Sequence, residues 1–245
     1  MKQLFIFILF ITTSLSSYSK QKKEATLTKS SIPTSKKTTH SYVQGIDISD
    51  FQSDINWKVL KTSEVKFVFV KATGGIDYID SLFYTNWKNV KQQGLKRGAY
   101  HFYYTIDDPV KQADFFIQTV LKLSKTTDLP PTLDLETHGV NSNITIAEYQ
   151  KGVKTWLKIV EDKFKRKPII YASTNFANKY LNDTFFSSYH LWIANYNTDT
   201  PAIPIPWEKV GWTFWQNNDS TKVKGIKTFV DHNFFNGTVK ELNQL

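Results

Sequence analysis

Short apolar runs rich in β-branched and aromatic residues recur along the chain from residue 44 onward, a pattern typical of buried strands. They lie at Gly45–Ile48, Lys66–Ala72, Lys96–Phe102, Pro131–Leu135, Pro168–Ala172, Tyr189–Ala194, Gly211–Gln216 and Thr228–Phe234. Stretches that fit helices separate the first five, whereas the last three follow one another through loops. Strands that alternate with helices form a parallel sheet covered by helices. The pattern therefore predicts an α/β fold, an incomplete β/α (TIM-like) barrel of five β/α units followed by three strands.

The clearest helix is predicted over Thr145–Phe164. Apolar residues recur there at helical spacing and share one face. They are Ile146, Tyr149, Val153, Trp156, Leu157 and Val160. No linker-like composition interrupts residues 44–245, so we assign residues 42–245 to one barrel rather than to two packed domains.

The first 41 residues differ in composition from the rest. Lys2 precedes an apolar run from Leu4 to Ile11, and serine and threonine follow, as in a secretory signal peptide. The run is shorter than a membrane span requires. We predict a signal peptide at residues 1–19, with an uncleaved anchor as the alternative, and a Lys/Ser/Thr-rich linker at residues 20–41. The protein is then secreted, periplasmic or in the cell envelope, without an integral membrane span after signal cleavage.

The net charge of +9 is concentrated near the N-terminus. Residues 1–40 contain seven lysines and one glutamate, which leaves a net charge of +3 for the remainder. Such a weakly basic domain does not favour nucleic acid as a partner. The absence of cysteine excludes disulfides, thiolate metal sites and cysteine nucleophiles. We expect a monomer.

The sharpest local signal is Leu133-Asp134-Leu135-Glu136, which follows two prolines and Thr132. Alternate side chains of a strand share a face, so Asp134 and Glu136 point the same way with Cα atoms about 6.5–7 Å apart. Each negative charge disfavours ionisation of the other, which raises one pKa and supplies a general acid. For an isolated Asp-x-Glu, the alternative is a salt-bridged or hydrogen-bonded pair at a strand end.

Two further acids favour the catalytic interpretation. Asp47 ends the first predicted strand, and Asp231 lies in the last. First and last strands are neighbours in a closed barrel, and the active face is the one where the C-terminal strand ends meet. Either aspartate alone would more often cap a helix or a turn. Four carboxyl groups converging on one rim are hard to explain as caps.

Short motifs occur in a fixed order over residues 44–240. They are Gly45–Ser49 with Phe51, Gln52 and Trp57; Val70–Thr73; Arg97–Phe102; Leu133–Glu136; Ile170–Tyr171; Leu191–Ala194; Thr213–Gln216; and Val230–Asn233 with Phe235–Gly237. Each motif is weak alone, but the ordered set is specific. In this order the chain resembles glycoside hydrolase family 25, the Chalaropsis-type lysozymes.

The resemblance implies a barrel enzyme that hydrolyses the β-1,4 bond between N-acetylmuramic acid and N-acetylglucosamine in peptidoglycan glycan strands. It implies Glu136 as the proton donor and Asp134 as the residue that assists it or stabilises charge at the anomeric carbon. Asp47 and Asp231 would be supporting acids. The implied cleft-lining residues, for whose aromatic members core packing is the alternative, are Tyr100, Tyr171, Trp192, Trp215 and Gln216. Retaining, inverting and substrate-assisted courses remain open.

One position departs from the family pattern. An acid usually follows Lys-Ala-Thr, but this chain has Gly74 after Thr73, which predicts a changed cleft wall or a weakened subsite. No cofactor or metal is predicted, because His101 and His138 have no partner at ligand spacing. His232 follows Asp231 and is expected on the opposite face of its strand.

Two other functions remain as alternatives. A family 18-type chitinase or endoglycosidase also carries Asp-x-Glu on its fourth strand, but its motif has two more aspartates where this chain has Pro130 and Thr132. Outside the enzymes, the alternative is a non-catalytic glycan-binding barrel. Binding alone does not require a buried proton donor, which argues against that alternative.

We predict that the exported protein begins close to Lys20, because the small polar residues Ser16–Ser19 follow the apolar run. Intact-mass spectrometry of the exported protein checks this. A mass that still includes Met1 would contradict cleavage and support the anchor.

Overall fold

The structure, a computed structural model, describes residues 42–245. These residues form a closed barrel. The strands are β1 (Val43–Ile48), β2 (Phe67–Gly74), β3 (Tyr78–Ile79), β4 (Lys96–Phe102), β5 (Thr132–Asp134), β6 (Ile169–Ser173), β7 (His190–Ala194), β8 (Phe214–Thr221) and β9 (Val230–Phe235). They form one sheet in the order β1-β9-β8-β7-β6-β5-β4-β2-β3. Strand β1 also pairs with β2, so eight strands close into a barrel, as the predicted α/β barrel fold requires. The predicted signal peptide and linker lie outside the described residues.

Helices cover the outside of the barrel. They are α1 (Trp57–Leu60), α2 (Phe83–Gln92), α3 (Pro109–Val120), α4 (Ile146–Phe164), α5 (Thr174–Tyr180) and α6 (Val239–Gln244). Helix α4 is the helix expected from periodicity, and Thr145 and Glu148 form a capping box at its start. Its predicted apolar face is buried except for Ile146, which lies in the first turn. Over residues 42–245, no helix combines the length and apolarity needed to cross a membrane.

Each predicted strand has a counterpart, but several ends shift. Strand β5 keeps only three residues, because Pro130 and Pro131 have no amide hydrogen to donate to a ladder. Strand β8 begins after Gly211, whose φ of 76° is unsuited to extended backbone. The sequence pattern does not predict the two-residue hairpin strand β3, which pairs with the end of β2.

Strand direction decides which residues reach the active rim. The neighbouring barrel strands from β1 through β8 run parallel, whereas β9 runs antiparallel to both β1 and β8. The start of β9 therefore lies at the rim where the other strands end. In this register Asp231 lies directly opposite Asp47.

Aromatic side chains fill the barrel interior. The ring of Phe69 stacks on Trp192 with centroids 4.2 Å apart and meets Phe214 edge-on at 5.1 Å. A Cβ atom at Gly98 would come within 2.6 Å of the Phe69 ring, and one at Gly45 within 2.3 Å of the Phe67 ring. Glycine at these two positions gives the interior rings their space, so the barrel has a close-packed floor rather than a pore.

A buried ion pair joins the start of β4 to the segment before β5. Arg97 donates from Nε and Nη2 to the two carboxylate oxygens of Asp128, at 2.9 and 3.1 Å. Its guanidinium lies 3.9 Å from the ring centroid of Trp87. Two parallel hydrogen bonds and a stacked ring compensate the charges for lost water. The pair holds β4 against the approach to the strand that carries Asp134.

We predict that Asp128→Ala destabilises the fold by about 3–5 kcal/mol, because it leaves the guanidinium of Arg97 buried without its counter-charge. Asp162→Ala is the matched control: it removes an exposed ion pair with Lys165 and should leave the free energy of unfolding nearly unchanged. Urea denaturation followed by circular dichroism measures both free energies of unfolding. Equal losses in the two variants would contradict this role of the buried pair.

Candidate active site

Asp134 and Glu136 line one cavity at the end of β5. Asp134 is the last residue of the strand, and Glu136 follows two residues later. Leu133 and Leu135 point the other way and pack in the layer between barrel and helices. Asp134 is 6% exposed, whereas Glu136 is half-buried. The structure thus places both acids on the same side of the chain, with Glu136 the more accessible.

Asp47 and Asp231 bring two further carboxyl groups to the same cavity, which has a volume of about 190 Å³. All four predicted acids therefore meet at one rim. The complete lining is Asp47, Lys71, Tyr100, Phe102, Asp134, Glu136, Tyr171, Trp192, Tyr196, Gln216, Asp219 and Asp231.

The surroundings of Asp134 oppose its ionisation. Burial raises the pKa of Asp134 well above its ordinary value, and the charge of Glu136 raises it further. Lys71 acts in the opposite direction. Oδ1 of Asp134 is buried and has no hydrogen-bond partner among the described residues. A buried acceptor without a partner is available to a group of a bound ligand.

Glu136 has the second raised pKa of this pair. Burial raises the pKa of Glu136, while the nearby His138 and Lys71 lower it. Two neighbouring carboxyl groups that both resist ionisation retain protons at a higher pH than isolated acids do. A retained proton is what general acid catalysis requires.

Two amide side chains hold Asp47. Nε2 of Gln216 and Nδ2 of Asn233 both donate to Oδ2 of Asp47, at 2.9 and 2.7 Å. The hydroxyl of Tyr171 donates to Oε1 of Gln216 at 2.7 Å, and Nε1 of Trp192 donates to Oδ1 of Asn233 at 2.8 Å. Each amide oxygen faces a fixed donor, so each NH₂ group must face the carboxylate. Burial raises the pKa of Asp47 to about 6, and the amide donors limit the rise.

Asp231 is the protonated partner of Asp47. Burial and then the charge of Asp47 raise the pKa of Asp231 to about 9. Its protonated carboxyl donates a hydrogen bond to Asp47, which favours the ionised form of Asp47. The hydrogen bond between them therefore favours the proton on Asp231 and the negative charge on Asp47.

The predicted cleft aromatics divide by strand alternation. Tyr100, Tyr171 and Trp192 line the cavity, yet each is less than a tenth exposed, so they also belong to the packed interior. Trp215, also expected to line the cleft, is not among the residues that line this cavity. Gln216 faces the cavity, so its neighbour Trp215 faces outward, where Nε1 donates to the carbonyl of Asn195 at 2.7 Å.

Neither His101, considered above as a metal ligand, nor His232, expected on the opposite face of its strand from Asp231, lines the cavity. Buried His101 contacts the Thr73 hydroxyl through Nδ1 at 2.8 Å and Gln112 through Nε2 at 3.2 Å, and burial lowers its pKa to about 4. His232 bonds instead to Asn217 and Gln44. Across residues 42–245, no group of three or more acidic, histidine or cysteine side chains has an arrangement that would hold a metal.

Comparison with known proteins decides the family. Residues 46–226 match the model of glycosyl hydrolases family 25. The chain belongs to glycosyl hydrolase family 25. It is therefore a glycoside hydrolase, and the resemblance seen in its motifs is confirmed.

Family 25 relatives cover most of the described chain. The uncharacterized protein YegX of Escherichia coli K12 is 38% identical over 205 residues, which are 82% of this chain and 72% of YegX. Lysozyme M1 of Streptomyces globisporus is 31% identical over 210 residues, 82% of this chain and 70% of that protein. The crystal structure of the bacterial lysozyme from Streptomyces coelicolor has a TM-score of 0.77 at 29% identity, and the match covers 83% of this chain and 96% of that one.

Sequence reasoning about this family 25 hydrolase missed several cavity residues. Lys71 could have been found from the sequence, because it is the one charged residue in the buried strand β2 and shares the inward face with Phe67 and Phe69. Tyr196 lies in a loop after β7, where no periodicity marks an inward side chain. Asn233 does not line the cavity itself but donates to Asp47, which does. The other missed lining residues are Phe102 and Asp219.

We predict that Asp231→Asn stabilises the hydrolase increasingly as the pH rises. The pKa of Asp231 is raised in the folded state from 3.8 to about 9. Between these two pH values the unfolded chain has already lost the proton that the folded protein keeps. The free energy of unfolding of the parent therefore falls as the pH rises. Asparagine keeps a donor toward Asp47 but has no proton to lose.

Chemical denaturation at about pH 5 and about pH 8 measures the difference. The free energy of unfolding of the parent should fall relative to that of Asp231→Asn. Asp54→Asn, which changes an exposed carboxyl, is the control and should follow the parent. The same pH dependence in the parent and in Asp231→Asn would show that Asp231 is not protonated.

Proposed function

We propose that this family 25 hydrolase is a lysozyme that cleaves the β-1,4 bond between N-acetylmuramic acid and N-acetylglucosamine in peptidoglycan. The observation that carries the proposal is the pair Asp134 and Glu136, two carboxyl groups with raised pKa in one rim cavity. A relative and a solved structure that are both named lysozyme support the substrate.

Glu136 is the proposed general acid. Cleavage requires a proton on the glycosidic oxygen as the bond to the anomeric carbon breaks. Burial holds the pKa of Asp134 high as well, so accessibility supports the proposed division of roles: Glu136 is the more exposed side chain and can reach a glycan in the cavity. A bound glycan removes water from Glu136 and thereby raises its pKa further.

Asp134 is the proposed stabiliser of the charge that develops at the anomeric carbon. Its unpartnered Oδ1 supports this role, because no other described group uses that oxygen. Lys71 lowers the pKa of both acids, and for Asp134 this favours the ionised form that the role requires. Asp47 and Asp231 are proposed as supporting acids whose single negative charge adds to the field of the rim.

The site of action follows from the substrate. We propose that the protein works as an exported monomer on the cell wall, where its glycan substrate lies. The family 18-type chitinase alternative is not favoured, because the chain belongs to family 25. A non-catalytic barrel is disfavoured by all four acids in one cavity, since glycan binding alone gains nothing from groups that cost free energy to bury.

We predict that Glu136→Gln lowers lytic activity by roughly 10²–10⁴-fold, the range for loss of a general acid, because glutamine keeps the shape but has no transferable proton. Asp134→Asn should also be severely impaired, while Asp231→Asn should retain more activity. The assay combines loss of peptidoglycan turbidity with analysis of the new reducing ends. N-acetylmuramic acid is expected there, whereas N-acetylglucosamine would indicate a glucosaminidase.

Glu208→Gln is the matched control for this experiment, because it changes an exposed glutamate in the same way. Thermal unfolding establishes that each variant is folded. A folded Glu136→Gln protein that is nearly as active as the parent would refute the assignment of the general acid.

A further inference from the structure

Three aromatic rings meet beside the cavity, around Gly74. A Cβ atom there would lie 3.5–3.6 Å from atoms of Tyr78, Phe102 and Tyr104. The rings of Phe102 and Tyr104 are themselves in contact, with centroids 4.9 Å apart. We call these three residues the aromatic platform.

The aromatic platform faces solvent. Tyr78 is 44% exposed and Tyr104 is 38% exposed, while Phe102 is half-buried. Clustered apolar surface that remains open to water beside a functional cavity marks a binding surface, because a ligand that covers it gains the hydrophobic free energy that folding did not.

The platform is continuous with the catalytic cavity. Phe102 belongs to both, and the side chain of Lys71, which lines the cavity, lies beside the platform. The Lys71 ammonium lies 5.2 Å from the ring centroid of Phe102 and 5.7 Å from that of Tyr78. A polymer that enters the cavity of about 190 Å³ must continue along neighbouring surface, and the platform is such a surface.

Both tyrosines of the platform are held in place. The hydroxyl of Tyr78 donates to Oδ2 of Asp50 at 3.2 Å. The backbone of Tyr104 is fixed by Gln112, whose amide accepts from its N–H at 3.0 Å and donates to its carbonyl at 2.7 Å. Rings that are already positioned lose little conformational freedom when a ligand binds.

We propose that Tyr78, Phe102 and Tyr104 bind one further pyranose ring of the glycan strand, next to the sugar that the catalytic cavity holds. The inference rests on the proposed function. The C–H groups of a pyranose face are apolar and weakly positive, so they complement the negative face of an aromatic ring. The hydroxyls at the sugar edge find donors in the Lys71 ammonium and in the Tyr104 hydroxyl, and the Tyr78 hydroxyl oxygen can accept from them.

The test measures binding without cleavage. In the full exported protein carrying Glu136→Gln, Tyr78→Ala and Tyr104→Ala should each weaken binding of peptide-free peptidoglycan glycan strands by about three- to tenfold, the equivalent of one aromatic contact. Titration calorimetry gives the dissociation constants. Tyr84→Ala, on α2, removes a tyrosine that is 52% exposed and should bind like the Glu136→Gln parent. Tyr104→Phe keeps the stacking face and should restore affinity to within about twofold.

The length of the glycan supplies the second comparison. The loss of affinity should be present for long strands and absent for the single sugar N-acetylglucosamine, which can occupy the cavity without reaching the platform. Unchanged affinity of folded Tyr78→Ala and Tyr104→Ala proteins for long strands would overturn the platform. A loss of affinity seen only with strands that carry stem peptides would show that the platform binds peptide. It would overturn the proposal that the platform binds a sugar. Because cleavage is assayed separately with Glu136 intact, failure of the lysozyme activity is a different result from failure of the platform.

Discussion

Enclosing four carboxyl groups at one end of the barrel is the constraint on which the rest of the site depends. Charges removed from water cost free energy unless they are neutralised or given hydrogen bonds. The protein does both: burial and the charge of Asp47 raise the pKa of Asp231 and favour its neutral form, and Asp47 receives the amides of Gln216 and Asn233. Of these four acids, only Asp134 has a fully buried oxygen without a hydrogen-bond partner among the described residues. The stabilising groups thus surround one unsatisfied acceptor at the place where substrate chemistry is proposed.

The packed interior makes this polar network rigid. Trp192 stacks on Phe69 on one side and donates its indole N–H to Asn233, so an apolar contact determines the orientation of an amide. That amide in turn donates to Asp47. At the start of β4, the Arg97–Asp128 pair fixes the strand next to β5. The packing of the interior and the hydrogen bonds of the rim are therefore coupled, because movement of an interior ring would reorient a donor at the rim.

The antiparallel strand β9 gives the rim its pairing of acids. A parallel last strand would place Asp231, near its beginning, at the opposite end from Asp47. Because β9 runs the other way, these residues lie directly opposite each other. The surface beyond the rim is built differently: around Gly74 it offers aromatic faces instead of charge. Acid chemistry and the proposed sugar stacking thus occupy adjoining regions of one face, linked by Lys71 and Phe102.

The sequence by itself determined the features that depend on local periodicity. These include the strand-and-helix alternation, helix α4, and the shared face of Asp134 and Glu136, because each follows from the repeat of one element. Tertiary structure alone decided the direction of β9, the hairpin β3 and the role of Asn233 behind Asp47. Trp215 could have been placed outward from the alternation of its strand, yet family resemblance favoured the cleft. The remaining features join residues far apart in the chain, and no local repeat encodes how distant elements pair.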